Sequence, residues 1–158
     1  KDWLPVAVKD GSRIEARAYM LIASSMGAVA FQKGLGAMHA MSHPCSSLRG
    51  THHGLTNAVV MPYVLAFNAP AISEKLAALA RYLDLPGQSA TSVIDWVLAL
   101  RAELGIPHTL KEIGVDESVL PEAAKMAEHD PSNGGNPVPL DAAGYETLFR
   151  RAIEGTVK

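Results

Sequence analysis

Cysteine is almost missing from this 158-residue chain, where Cys45 stands alone. A single thiol cannot close an internal disulfide, so a disulfide-stapled framework is excluded and nothing argues for secretion. Charge of either sign is also scarce. With 14 basic and 16 acidic residues the formal net charge is −2, and no run of Lys or Arg occurs. That leaves no electrostatic footprint for nucleic acid and no basic face for a membrane surface. No apolar run reaches the roughly 20 residues that a spanning helix needs. The longest uncharged stretch, "AYMLIASSMGAVAF" from Ala18 to Phe31, is broken by Ser24, Ser25 and Gly27. It reads as a helix buried on most sides within a globular domain. The opening "KDWLPVAVKDGSRIEAR" is too polar for a signal peptide and begins without methionine. The expectation is a cytoplasmic protein, present here as a fragment or a processed chain.

No segment alternates with period two for long enough to predict a strand, and nothing repeats at a fixed interval. What is present is a globular balance, 48% apolar and 19% charged, on a length that suits one domain over 1–158. Helical periodicity dominates. Ser12 with Glu15 predicts a capping box that opens a helix running to Phe31. "AMHAMSH" predicts a short helix ending at His43, because Pro44 disfavours helical geometry in the residue before it. "PCSSLRGT" then reads as a loop. A helix from His53, kinked or closed by Pro62, follows, then one over Pro70 to Leu83 with Leu76, Leu79, Ala80 and Leu83 on one face. Another carries Val93, Trp96, Val97 and Leu100 inward and stops at Gly105. A turn over Thr109 to Ile113, a helix from Glu117 to His129, a loop "DPSNGGNPVP" and a last helix capped by Asp141 complete an all-α bundle.

Four of the six histidines fall between Gly34 and Ala58. His39 and His43, four apart on a helix, present both rings on one face. His53 opens the next helix, so a helix, a loop and a returning helix can bring three imidazoles together. Neutral imidazole suits divalent iron, zinc, copper or nickel, and a metal with an open position polarises a substrate oxygen. The competing reading is packing at a helix junction. A metal site also wants a carboxylate, and no Asp or Glu stands four residues before any histidine. His52 points away from the other rings. His108 and His129 read as surface or cap residues, and Cys45 as a small loop residue with no base beside it.

"GLGAMHAMSHP" followed by "HHGLTNAVVMPYVLAFN" resembles the iron-containing alcohol dehydrogenase family. The family pattern G-x-x-H-x-x-x-H-P, a short loop and H-G-x-x-N-A falls on Gly36, His39, His43, Pro44, His53, Gly54, Asn57 and Ala58. "GGNPVPL" is similar to the family's Asn-Pro loop. The resemblance spans nearly the whole chain. It implies the C-terminal helical metal-binding domain of a two-domain protein, a fold shared with dehydroquinate synthases. An N-terminal domain that is absent from this chain would bind most of the NAD(P). The resemblance implies Fe2+, or Zn2+, as the metal, with His39 and His53 as two of its ligands. The family's upstream D-x-x-x-H helix, which supplies the others, is missing here. His43 matches the remaining motif histidine, placed by the resemblance beside the metal and the nicotinamide, to handle a proton or orient substrate. The implied partners are a small alcohol or aldehyde, the chain's own nucleotide-binding domain and, in a homodimer, a second copy; the chain alone is expected to be inactive. Ser46, Arg49 and His52 depart from the commonest loop pattern, which bears on substrate preference. Arg49 reads as a solvated loop residue rather than a contact for an anionic substrate. Alternatives are a zinc-dependent dehydroquinate synthase or glycerol-phosphate dehydrogenase-like enzyme, and a metal-free helical module that binds partners through its apolar faces.

Overall fold

The computed structural model describes residues 1–157, and these form helices and turns without a strand. The chain divides into two compact units, Lys1–Gly34 and Leu35–Lys158. The first holds α1 (Trp3–Lys9) and α2 (Ile14–Ala30), with Trp3 stacked on Tyr19 at a centroid separation of 4.6 Å. The expected capping box is not made. The Ser12 amide and hydroxyl both donate to Asp10 Oδ1, and Arg13 precedes the helix without capping it. A local Asx turn has taken the serine that the helix would have used. The uncharged stretch of α2 is also not buried: Leu21, Ile22, Met26 and Val29 are all more than half exposed. These residues form one apolar stripe along α2. Among the described residues no helix is long and apolar enough to cross a membrane.

The second unit contains α3 (Ala37–Arg49), α4 (His53–Asn68), α5 (Ser73–Tyr82), α6 (Ala90–Glu103), α7 (Leu120–Glu128) and α8 (Ala142–Glu154). Its main core joins α3, α4, α7 and α8 around Met41, Val60, Tyr63, Ala124, Tyr145 and Phe149. A smaller cluster of Leu76, Ala80, Leu85 and Val93 joins α5 to α6. Leu79, expected on the inward face of α5, is 40% exposed. The all-α expectation holds, and two elements differ from the local reading. The first is α3, which passes through Pro44 and ends five residues later at Arg49, where Gly50 at φ 66° closes it onto the Ser46 carbonyl. An interior proline costs about 3 kcal/mol. Met41, Pro44 and Cys45 are nevertheless buried, and Leu48 packs partly buried on the same core. Each buried apolar side chain is worth roughly 1.5–3 kcal/mol, so continuing the helix outweighs breaking it. Cys45 is therefore a helical core residue, with its thiol pushed up to about 12 by burial.

His108 is the second difference. It is not a free surface residue. Its Nδ1 lies 2.9 Å from an Arg101 guanidinium nitrogen, its Nε2 3.1 Å from the Gly155 carbonyl, and its own carbonyl accepts from Tyr63 Oη at 2.6 Å. It ties the end of α6 to α4 and α8. His129 does follow expectation: it is exposed and bonds the Lys125 carbonyl at the end of α7.

The loop after α7 is fixed on all sides. Asn133 Nδ2 donates to the Glu128 and Leu140 carbonyls, and its Oδ1 accepts from Tyr145. Asn136 exchanges a pair of hydrogen bonds with Asn68 at 2.9 and 3.0 Å and accepts from the Ala37 amide that opens α3. Between them Gly135 lies so close to the chain entering α3 that a Cβ there would overlap the Leu35 carbonyl oxygen. Gly135→Ala is expected to cost about 1–3 kcal/mol, the range for overpacking a filled site. Urea denaturation followed by circular dichroism checks this, with Gly134→Ala, where a Cβ meets nothing within 4 Å, as the comparison.

Candidate metal centre

Three imidazoles converge. The ring centroids of His39 and His43 are 5.9 Å apart, those of His39 and His53 5.3 Å, and those of His43 and His53 5.3 Å with the planes 15° from parallel. The unbroken α3 sets the first pair one turn apart. The third ring arrives because the chain reverses within three residues. Gly50 ends α3, Thr51 bonds Thr56 through its hydroxyl, and His52 caps α4 by accepting the Leu55 amide on Nδ1. His52 is thus spent on the helix terminus, and His53 stands at the first position of α4.

Both nitrogens of the His53 ring meet polar neighbours. Buried Ser42, between the two histidines of α3, gives its hydroxyl proton to the His53 carbonyl at 3.2 Å. The same oxygen lies 3.1 Å from His53 Nδ1, where it accepts from a neutral ring that carries its proton on Nδ1. Asn57 Nδ2 donates to Nε2 at 3.0 Å, which agrees: Nε2 carries a lone pair. The amide oxygen of Asn57 is buried without a partner. His39 is 9% exposed. Burial, then the neighbouring His53 and His43, pull its pKa below the ordinary value against a smaller opposing pull from Asp130. Imidazole binds divalent transition ions through a neutral nitrogen with a free lone pair, so an ion at His53 Nε2 would take the place of the Asn57 amide hydrogen that lies there. The donor chemistry of His39 and His53 therefore fits such an ion. Among the described residues no group of three or more His, Cys, Asp or Glu side chains is placed to hold a metal ion.

His43 is exposed where His39 is buried, its side chain 42% exposed, and its Nδ1 meets Asp130 Oδ2 at 2.7 Å. Asp130 was not legible as a site residue. It lies 87 positions away in a loop whose Gly and Pro content marks only a turn. Burial works to raise its pKa, but hydrogen bonds from His43 and Ser132 outweigh this and hold it below the ordinary carboxylate value. Ser42 carried no sequence signal either, beyond its place between two histidines. Arg49 is solvent-exposed as expected, but it ends α3 rather than lying in a loop, and its guanidinium pairs with Asp116 at 3.4 Å and bonds the Ser118 hydroxyl.

A sequence model described as "Fe-containing alcohol dehydrogenase family, C-terminal" matches residues 2–153. The chain is 37% identical over 156 residues to a 4-hydroxybutyrate dehydrogenase of Cupriavidus necator, covering 93% of this chain and 40% of that protein. It is also 37% identical over 159 residues to an NAD-dependent methanol dehydrogenase of Bacillus methanolicus, covering 96% and 42%. Among solved structures, a 1,3-propanediol oxidoreductase superposes with a TM-score of 0.90 at 35% identity, over 95% of this chain and 41% of that one. An iron-containing alcohol dehydrogenase from Thermococcus thioreducens gives 0.85 at 35%, over 97% and 40%. The chain thus spans about 40% of the length of the curated relatives it matches.

Proposed function

The chain belongs to the Fe-containing alcohol dehydrogenase family, and from that membership we propose that it forms the metal-side part of an NAD(P)-dependent oxidoreductase acting on small primary alcohols and their aldehydes. The overall reaction is alcohol plus NAD(P)+ to aldehyde, NAD(P)H and a proton. The observation that carries the proposal is the convergence of His39, His43 and His53, with the Ser42 hydroxyl beside His53 Nδ1. His39 and His53 would hold a divalent ion, Fe2+ by family or Zn2+. Such an ion, when bound, supplies Lewis-acid polarisation of the substrate oxygen.

The remaining work falls to the chain's own residues. His43, half-exposed beside the two ligand rings, takes the hydroxyl proton in oxidation and returns it in reduction. Ser42 and Asn57 hold His53 in orientation. Burial keeps His39 neutral and excludes water from one side of the site. Family membership supports a nucleotide-binding domain as the partner of this one, and the isolated chain is expected to be inactive. The dehydrogenases for methanol, 1,3-propanediol and 4-hydroxybutyrate among the relatives support short, unbranched substrates. Arg49, already paired with Asp116, gives no support to an anionic substrate.

The test is an assay of the intact protein with NAD and NADP against short alcohols and diols and against phosphorylated polyols. Oxidation of the alcohols that is lost to a chelator and restored by Fe2+ or Zn2+ is the expected result. Turnover of phosphorylated substrates alone would favour the zinc-dependent alternative, and no metal uptake at all would favour a helical binding module.

A further inference from the structure

We propose that Asp130 is the positioning residue of His43: its carboxylate fixes the ring's orientation and its proton on Nδ1, leaving Nε2 as the base that meets the substrate. The inference rests on the dehydrogenase reading for its effect on turnover, and on geometry alone for the ring.

An ionised carboxylate only accepts hydrogen bonds. At 2.7 Å from Asp130 Oδ2, His43 Nδ1 must therefore be the donor, and a neutral His43 has its lone pair on Nε2. The hydrogen bond made by one ring nitrogen decides the state of the other. The carboxylate is well placed to impose this. Its side chain is 12% exposed against 42% for His43, so the fixed partner is the acid and the accessible one is the imidazole. Its other oxygen is engaged, Oδ1 accepting the Ser132 amide at 2.8 Å. The loop that follows is pinned through Asn133 to α7 and α8, and through Asn136 to Asn68 and to the first amide of α3. Gly135 seats that loop against the Leu35 carbonyl. Asp130 is thereby anchored to the same helix that carries His43, and cannot swing away independently.

A purely stabilising ion pair is a weaker account of these facts. A pair with one partner this exposed contributes little to stability, and burying a carboxylate costs free energy that only its hydrogen bonds offset. Orientation of an accessible ring is what the arrangement supplies.

The experiment uses the intact protein with 15N-labelled histidine, its chelator-treated form for ring NMR and its metal-loaded form for kinetics and metal analysis. The wild type is expected to show the His43 proton on Nδ1. In Asp130→Ala it moves to Nε2 or exchanges between the two. In the loaded enzyme kcat falls on the order of 100-fold, the scale of general-base catalysis, with KM and metal content unchanged; Asp130→Glu recovers part of the loss. A His43 ring that keeps its Nδ1 proton in Asp130→Ala overturns the proposal, as does unchanged kcat. Loss of metal in that variant overturns it in favour of a ligand role. A wild type with no alcohol oxidation sinks the dehydrogenase reading instead, and the ring spectra then still decide what Asp130 does.

Discussion

Replacing His39 or His53 with alanine is expected to abolish metal retention by the intact protein and to lower alcohol oxidation by well over 100-fold. Outer-shell partners of metal ligands cost roughly 10- to 100-fold when removed, so loss of a ligand sets a larger effect. The two substitutions should not fail alike in structure. His39 is buried in α3, and its removal opens a small gap beside two rings. His53 carries Ser42 and Asn57 on its two nitrogens, so its removal leaves a buried hydroxyl and an amide short of partners. Metal content by elemental analysis, paired with the steady-state rate, reads the first effect, and a denaturation midpoint reads the second. His129→Ala is the control: that ring is exposed and bonds only at the end of α7, and both readouts should stay at wild-type values. Full metal content in His39→Ala and His53→Ala would remove these residues from the ligand set.

Arg101→Met is expected to destabilise the helical unit by about 2–4 kcal/mol, combining lost hydrogen bonds to buried acceptors with imperfect repacking. The reason lies in α4. Pro62 has no N–H, so the carbonyl four residues earlier, Ala58, has no partner in its own helix. Arg101, 5% exposed on α6, donates one guanidinium nitrogen to the Ala58 carbonyl at 3.1 Å and to the Val59 carbonyl at 2.5 Å. Its other terminal nitrogen reaches His108. One buried cation thus repairs the proline break in the helix that begins with His53, and joins α4 to α6. Pro62→Ala restores an N–H to that carbonyl. In the Pro62→Ala background Arg101→Met should therefore cost about 1 kcal/mol less, one hydrogen bond's worth. A double-mutant cycle by urea denaturation measures this coupling, and strict additivity would show that the guanidinium does not stand in for the missing amide.

The sequence was informative where the physics is local. The spacing of His39 and His43 needs only 3.6 residues per turn, and Asp141 caps α8 by accepting the Gly144 amide, as its position implied. Gly105 at φ 69° lies where a helix must stop. Local rules misled where two of them competed, as at Ser12, taken by Asp10, and at Pro44, carried through by the burial around it. They also misjudged α2, whose uncharged stretch predicted a buried helix and whose apolar stripe is exposed within this chain.

By itself, then, the sequence determined an all-helical chain, its family, and three histidines set to meet at one helix junction. Only the tertiary structure decided which groups complete that meeting: Ser42 and Asn57 on His53, Asp130 on His43, and Arg101 beneath Pro62. The reason is range. Periodicity and capping act over one or two turns, whereas the bond from His43 to Asp130 spans 87 residues and exists only because packed helices bring the α7 loop against α3.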